Sequence, residues 1–499
     1  MDAAGTAELG TIVAAALRGA LTEALARRAL ALGEDATLAV MLAANGHIAE
    51  QARRLASGVA AAPGPHTPSG AIPAFAKGAT GKRRRKKPGA RDGHEGHRRV
   101  TPVPDRVETI QEMKVCPECN GPVLAMRPGR GRKRIIEDIP PDLRTEAVEY
   151  SIPQPWCPCC KKNVEPGVAA ALPGATIGNG VVALTTVMHY GLGLTIDQTR
   201  EVFASHLRTP LSAGGLVDLW RRAGEVFGPW YEQIGREARN SATLHADETG
   251  WRVNGETHWL WCFCNRGGGA NCFYMIEESR GSDVLREFFT SAFRGVLMSD
   301  FWGPYQSVVL EGDGARQCCL AHLLRELDHV DTDALPHKPP DGAREWSALA
   351  KTPRRLLRDG IRLRKRPDFT PGRYASRIRL IDQRLIALAE GGYDDPDAGR
   401  LANRLSRHRD ELFTFLDRPE ADWNNNFAER QIRPAVILRK NSQCNRSERG
   451  AATQAVLMSV HRTLKLRGLD PRAEIEKALR TYAATGVLPP LPPPIVADG

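Results

Sequence analysis

The sequence predicts a mixed α/β core, with a helical arm and a small cysteine-rich module ahead of it. Three observations predict this. Between residues 241 and 330 the apolar pattern leaves helical spacing for short runs of aromatic and branched residues, separated by Gly, Asn or charged turns. Well ahead of that stretch, residues 1–60 are rich in Ala and Leu, with apolar residues at helical spacing. Between the two, Cys116-Pro117-Glu118-Cys119 and Cys157-Pro158-Cys159-Cys160 form two close cysteine pairs.

At 499 residues with 42% hydrophobic content, the chain can bury several cores and divides into roughly two to four domains. The 69 Lys and Arg against 58 Asp and Glu leave a net charge of +11, which points to a polyanionic partner such as nucleic acid. An anionic membrane would answer to the same charge, but no run approaches about 18 uncharged apolar residues. The start, Met1-Asp2-Ala3-Ala4, lacks the basic region of an export signal, so the expected location is cytoplasmic, in association with the nucleoid. Eleven cysteines, closely paired in such a chain, favour thiolate metal ligation over disulfides.

Residues 1–60 form the expected arm. Ile12–Leu32 and Thr37–Leu55 carry apolar residues at helical spacing, suiting a small helical cap or an oligomerisation element. Residues 61–112 turn to Pro, Gly, Ser and His and cannot pack a core; they read as a flexible linker. Within it Lys82, Arg83, Arg84, Arg85, Lys86 and Lys87 can neutralise several phosphates, although such runs also occur as solvated tails.

Residues 113–170 contain the cysteine pairs. Zinc takes four soft ligands in a tetrahedron, and two Cys-x-x-Cys turns supply them, so Cys116, Cys119, Cys157 and Cys160 are expected to hold one structural Zn²⁺, with Cys159 spare. Arg134–Ile139 and Ala147–Ile152 read as strands of a long zinc ribbon. Residues 175–240 are helical. Gly193-Leu194-Thr195-Ile196 and Pro210-Leu211-Ser212 each resemble a turn before a new helix, which fits either a helix-turn-helix or an ordinary connector.

Residues 241–330 supply the strands. Ala242–Ala246, Trp251–Val253, Trp259–Cys264 and Cys272–Ile276 read as a meander, Ser282–Phe289 as a helix, Val296–Ser299 as a buried strand, and Arg316–Cys319 as a strand leading into a helix at Ala321–Leu327. This order is close to the ribonuclease-H-like pattern, in which carboxylates on the first and fourth strands meet one from a later helix. Asp247 is expected to end the first strand and Asp300 the fourth. Glu429, in Asn424-Asn425-Asn426-Phe427-Ala428-Glu429-Arg430, opens an apolar-periodic stretch towards Leu438, with Asn424 or Asn425 as its cap. Residues 486–499 read as a disordered Pro-rich tail.

A strand-end acid is costly to bury unless it meets a cation or hydrogen-bond donors. Two such acids joined by one from a helix suit phosphodiester cleavage, where two Mg²⁺ or Mn²⁺ ions about 3.5–4 Å apart activate the nucleophile and stabilise the leaving oxygen. Asp247 would be shared by both ions, with Asp300 on one and Glu429 on the other; Glu248 lies on the opposite face by strand alternation. Arg430, Arg433, Arg439 and Lys440 follow Glu429 and are candidate phosphate clamps. Cys319 and His322 are candidate auxiliaries. Trp251, Trp259, Trp261 and Trp302 read mainly as core aromatics, with one of them available to stack on a base.

The chain resembles transposases of the insertion-sequence-66 family. The resemblance is carried by His245-Ala246-Asp247-Glu248-Thr249-Gly250-Trp251, by Ser299-Asp300 ahead of Trp302-Gly303-Pro304-Tyr305, and by Cys319-Leu320-Ala321-His322. It continues in Asn425-Asn426-Phe427-Ala428-Glu429-Arg430 with Arg433-Pro434 and Arg439-Lys440-Asn441, and extends upstream to Pro88–His97. It implies a DDE transposase whose acidic triad matches Asp247, Asp300 and Glu429, with a helical insertion between the second Asp and the Glu, at residues 331–420, which the Arg- and Leu-rich residues 343–415 suit, and with residues 421–485 completing the core. It also implies a homo-oligomer acting on transposon ends and target DNA, with accessory proteins of the same element as further partners. A non-catalytic DNA binder descended from such an enzyme, or a structure-specific nuclease, would share many of these residues.

Overall fold

The computed structural model describes residues 3–17, 22–42, 44, 103–108, 113–124, 134–137, 139–140, 143–329, 340–366 and 370–495. The basic run at residues 82–87 and the stretch 88–97 lie outside the described residues. The chain divides into two compact units, residues 1–67 and 68–499.

The first unit contains α1 (Ala3–Leu17), α2 (Glu23–Ala31) and a further helical stretch at residues 34–42. Ile12, Ala16, Ala29 and Val40 form its small core. The helix expected over Ile12–Leu32 is therefore not continuous. Thr22 adopts an extended backbone and its hydroxyl accepts from Leu25 N (3.4 Å), which starts a new helix there.

In the second unit, the cysteine module is sparsely structured. A bridge joins Val115 to Pro122, and Trp156–Cys157 pairs with Lys162–Asn163. The strands expected at 134–139 and 147–152 are absent among the described residues: Ile135, Ile136, Tyr150 and Ile152 are exposed, and no ladder pairs with these segments. An extended segment without a partner ladder has nothing to offset its ordering entropy as a strand.

The helices that follow are α3 (Asn179–Thr186), continued by a wide turn over Val187–Gly191, then α4 (Ile196–His206), α5 (Ala213–Val226) and α6 (Gly228–Arg239). Both expected starts are real caps. Thr195 and Gln198 make a reciprocal capping box, and Ser212 Oγ accepts from Gly215 N. Their apolar faces, including Phe203, Trp220, Ala223 and Ile234, are buried in the main core.

A mixed five-stranded sheet lies at the centre: β1 (Thr243–Val253), β2 (Glu256–Asn265), β3 (Asn271–Glu277), β4 (Val296–Ser299) and β5 (Ala315–Cys318). The order is β3-β2-β1-β4-β5, with β1, β2 and β3 antiparallel and β4 and β5 parallel to β1. The two strands expected at 242–246 and 251–253 are one, so Asp247 sits within β1 rather than at its end. Asn254 and Gly255 both take positive φ (50° and 83°) and close a two-residue hairpin, which lets β2 pair with β1 continuously from His245↔Cys264 to Val253↔Glu256.

After β3 come α7 (Ser282–Phe288), β4, β5 and α8 (Leu320–His329). The insertion follows as α9 (Pro340–Arg364), α10 (Pro371–Ala389), α11 (Pro396–Arg407) and two single turns, α12 (Arg409–Leu412) and α13 (Thr414–Asp417). It shares a second core with Val296, Met298, Cys318, Leu320 and Leu323, so it is packed onto β4, β5 and α8.

The chain finishes with α14 (Asn426–Ser442), α15 (Glu448–Leu466) and α16 (Pro471–Thr485). Two N–H groups of the edge strand β3 are satisfied by α15: Cys272 N donates to Thr463 Oγ1 (3.1 Å) and Tyr274 N to Ser459 Oγ (2.9 Å). The Pro-rich tail, expected to be disordered, is docked as far as it is described. Trp230 Nε1 donates to Pro489 O (2.7 Å), Ile495 N to Arg467 O (2.9 Å), and Leu491 is buried. No described helix is long and apolar enough to cross a membrane.

Candidate active site

The sheet register places the first two acids. In the parallel pair β1/β4 the last partners are His245 and Met298, and Asp247 and Asp300 each lie two residues further along their strands. Successive side chains alternate faces, so the two carboxylates leave the same face at neighbouring positions. Glu429 arrives in the first turn of α14.

The third element is held against the first by a buried junction. Asn425 Nδ2 donates to Ala246 O (2.7 Å), while its Oδ1 meets His245 Nδ1 (3.0 Å). Asn425 N donates to Cys319 Sγ (3.1 Å), and Leu320 N to Trp423 O (3.0 Å). Asn425 thus occupies the cap position of α14 without capping it through its side chain, which is used on β1. Asn424 Oδ1 instead accepts from Asn426 N (3.0 Å). Cys319 is fully buried, with burial pushing its thiol up to about 11; among the described contacts it fixes the start of α14.

All three carboxylates are half-buried, and they act on one another. Burial raises Asp247 well above the ordinary carboxylate range, and the charges of Glu248, Asp300 and Glu429 raise it further. Asp300 is pushed up to about 7, by burial first and then by Glu248 and Glu429, against the Trp302 N–H and the Arg280 charge, which lower it. Asp247 Oδ1 accepts only locally, from Glu248 N (3.0 Å), and Asp300 Oδ1 from Trp302 N (2.9 Å). Glu429 Oε1 is buried without a hydrogen bond, 3.5 Å from His322 Nε2 and 3.8 Å from Arg325. His322 is itself lowered to about 4, mainly by burial, so near neutral pH it brings no positive charge.

Clustered anionic oxygens with an orphaned lone-pair site fit hard divalent cations, which prefer carboxylate ligands and offset their repulsion. The three acids do not form a group whose ligand atoms all lie within 4.8 Å of one another. Two ions about 3.5–4 Å apart need a wider set than one ion does.

Glu248 faces the other way, as strand alternation predicts. It is 1% exposed, accepts from Arg280 (2.6 and 2.9 Å) and from Tyr305 Oη (2.5 Å), and Arg280 lies between the rings of Trp259 and Trp302. Trp251 and Trp261 are core residues. Arg280, Tyr305 and the His245–Asn425 link were not picked out from the sequence as supports. The motif residues His245, Asn425 and Tyr305 were in view, but nothing in their spacing discloses contacts spanning 57 to 180 residues.

The candidate phosphate clamps separate into two kinds. Arg430, Arg433 and Lys440 are exposed. Arg439 is turned inward, donating to Thr249 Oγ1 (3.1 Å) and to Gly250 O, and burial lowers its pKa. It braces α14 against β1.

Each cysteine pair folds as a knuckle. Cys116 N donates to Gly121 O and Asn120 N to Cys116 O, with Asn120 at φ 57°. Cys160 N donates to Cys157 Sγ (3.4 Å), with Lys161 at φ 50°. Backbone N–H groups, from Cys119 first in one knuckle and from Cys160 first in the other, lower the Cys116 and Cys157 thiols. The knuckles are not gathered into one four-sulfur cluster. Cys159 is exposed.

Comparison with known proteins gives one family. The model described as Transposase IS66 family matches residues 174–453. Among curated proteins, the uncharacterized protein y4qI of Sinorhizobium fredii is 23% identical over 446 residues, covering 81% of this chain and 76% of its own length. The uncharacterized protein y4jD of the same organism is 24% identical over 390 residues, with 74% of each chain covered. A third, y4jO, is 30% identical over 211 residues, 40% of this chain and 61% of its own.

Proposed function

Because the chain belongs to the IS66 family of transposases, we propose that it is a DDE enzyme that hydrolyses phosphodiesters at the ends of a bacterial insertion sequence and joins the freed 3′ hydroxyl to target DNA. Its core is then a ribonuclease-H-like sheet carrying a helical insertion. The observation that carries this reading is the approach of Asp247, Asp300 and Glu429 to one another, with the Asp247 and Asp300 carboxyls driven up by burial and by neighbouring negative charge, and with Glu429 Oε1 buried without a hydrogen bond.

Asp247, Asp300 and Glu429 would together hold two Mg²⁺ or Mn²⁺ ions. When bound, these ions supply an activated nucleophile and charge stabilisation for the leaving oxygen. The remaining work falls to the chain itself. Asn425, His245 and Cys319 keep α14 seated so that Glu429 faces the sheet, and Arg280 and Tyr305 hold the Glu248 carboxylate in its buried position. Arg430, Arg433 and Lys440, with the basic run Lys82 to Lys87, contact phosphates. Cys116, Cys119, Cys157 and Cys160 hold one structural Zn²⁺ in a ribbon that closes on metal binding. The protein acts as an oligomer on DNA, with accessory proteins of the element as further partners.

The test uses Asp247→Asn, Asp300→Asn and Glu429→Gln on DNA bearing the element's ends, in Mg²⁺ and in Mn²⁺. Cleavage should fall by about three orders of magnitude or more in each variant while DNA binding persists. A wild-type chain that binds DNA but never cuts it would favour a non-catalytic binder. Cutting without joining would favour a nuclease.

A further inference from the structure

Where the helical insertion returns to the sheet, three side chains of different chemistry converge in the interior. Cys318 ends β5, and His408 and Glu411 flank and occupy α12. His408 Nδ1 lies 2.7 Å from Glu411 Oε2, Cys318 Sγ 3.4 Å from the same oxygen, and Cys318 Sγ 3.8 Å from His408 Nδ1. Cys318 and His408 are buried, and the Glu411 side chain is 14% exposed.

We propose that Cys318, His408 and Glu411 form a metal site for a borderline divalent cation, Zn²⁺ by its chemistry, that clamps the insertion to β5. The ligand atoms of all three lie within 4.8 Å of one another, and theirs is the only such group of His, Cys, Asp or Glu among the described residues. One thiolate, one imidazole and one carboxylate are the ligand types that zinc accepts, and the thiolate selects against Mg²⁺. A carboxylate oxygen has about two lone-pair directions. Glu411 Oε2 is approached by three groups, because Gln306 Nε2 also donates to it at 2.9 Å. A dication at this point takes the places of the Cys318 and His408 protons, leaving Gln306 as the partner that orients the carboxylate.

The charges balance. Binding releases the thiol proton to solvent and leaves the imidazole neutral with its proton on Nε2. The thiolate and carboxylate then carry two negative charges against two positive ones, and a water completes the tetrahedron. Arg316 Nη1, 3.8 Å from Glu411 Oε1, faces the outer oxygen. The site is separate from the acidic triad, whose oxygen-only donors suit harder ions.

The test is metal content in the full chain carrying Cys116→Ser and Cys157→Ser, which removes the knuckle ligands. After zinc loading and desalting, about one zinc per chain should remain, and addition of His408→Gln should remove most of it. The same background loaded with Co²⁺ should show tetrahedral d–d bands and a thiolate charge-transfer band, both lost in Cys318→Ser. Should the knuckle variant not fold, the otherwise native chain is compared with His408→Gln and Glu411→Gln alone, each expected to hold about one zinc fewer. Zinc content indifferent to both substitutions overturns the proposal. So does a lower Tm without loss of metal, which would leave only a hydrogen-bonded cluster.

Discussion

Glu248 lies on the buried face of β1, where two Arg280 nitrogens and Tyr305 Oη donate to its carboxylate. The Arg280 side chain is only 16% exposed and stacked between two indoles, so loss of its counter-charge strands a cation that cannot rehydrate freely. Glu248→Ala should therefore cost about 3–5 kcal/mol of folding stability in urea denaturation, as expected when one partner of a buried pair is removed. Arg439 and Lys440 make a similar contrast on α14. Arg439→Gln should lower stability by about 1–3 kcal/mol, since Thr249 and Gly250 lose their donor. Lys440→Gln should leave stability unchanged and reduce the salt slope of DNA binding by about one. Equal effects of the two on the salt slope would mean that Arg439 also reaches phosphate. At this scale the sequence discloses side-chain chemistry but not direction. Asp247 and Glu248 are separated by strand alternation and so could be assigned, whereas Arg439 and Lys440 differ by a helical rotation whose phase depends on packing.

Helix α14 must meet β1 in one register for Glu429 to face Asp247. Asn425 sets that register through Ala246 O and His245, and it is 2% exposed, so its amide has no access to replacement water. Asn425→Ala should lower stability by about 2–4 kcal/mol, because Ala246 O and His245 are left buried and unpaired. In the fraction still folded it should also reduce DNA cleavage per bound chain. A variant that loses stability but cleaves normally once bound would show that α14 keeps its place through Cys319 and Arg439 alone. The elements of the sheet were largely legible, because the apolar period changes where the sheet begins, whereas the insertion is expected only from the family resemblance. The exception within the sheet is β1. Thr249 and Gly250 look like an interruption in sequence, yet β2 folds back through Asn254-Gly255 and supplies a ladder across them. In the cysteine module the reverse holds: residues 134–139 and 147–152 have strand-like composition but, among the described residues, no neighbouring ladder. The tail beyond Val487 has no periodicity to read, and its docking depends on Trp230 and Arg467, which lie far away in sequence.

The main core of the second unit packs against buried histidines whose burial disfavours the charged ring. His189 stacks on Trp220 with ring centroids 4.5 Å apart, and His461 lies against Gly191, where an added Cβ would come within 2.4 Å of the imidazole Nε2. They are 7% and 5% exposed, and burial lowers both to about 4; Arg462 and Lys465 lower His461 further, while the Leu194 carbonyl works against the shift in His189. A histidine lowered in the folded state leaves the unfolded chain to take up the proton first. Its contribution to stability is therefore complete above the unfolded value of about 6.5 and is lost as the pH falls towards 4. A shift from 6.5 to about 4 corresponds to roughly 3 kcal/mol for each fully buried ring. The raised Asp247 and Asp300 oppose this trend in metal-free buffer, because their repulsion is relieved as they protonate on acidification. The measurement is therefore a difference: unfolding free energy from pH 7 to pH 4 for the native chain and for His189→Gln, in which the carboxylates contribute equally. The native chain should lose about one proton's worth of slope more than the variant over this window, so the stability gap between them narrows as pH falls. A gap that stays constant down to pH 4 would mean that the ring at position 189 is protonated as readily in the folded chain as in the unfolded one.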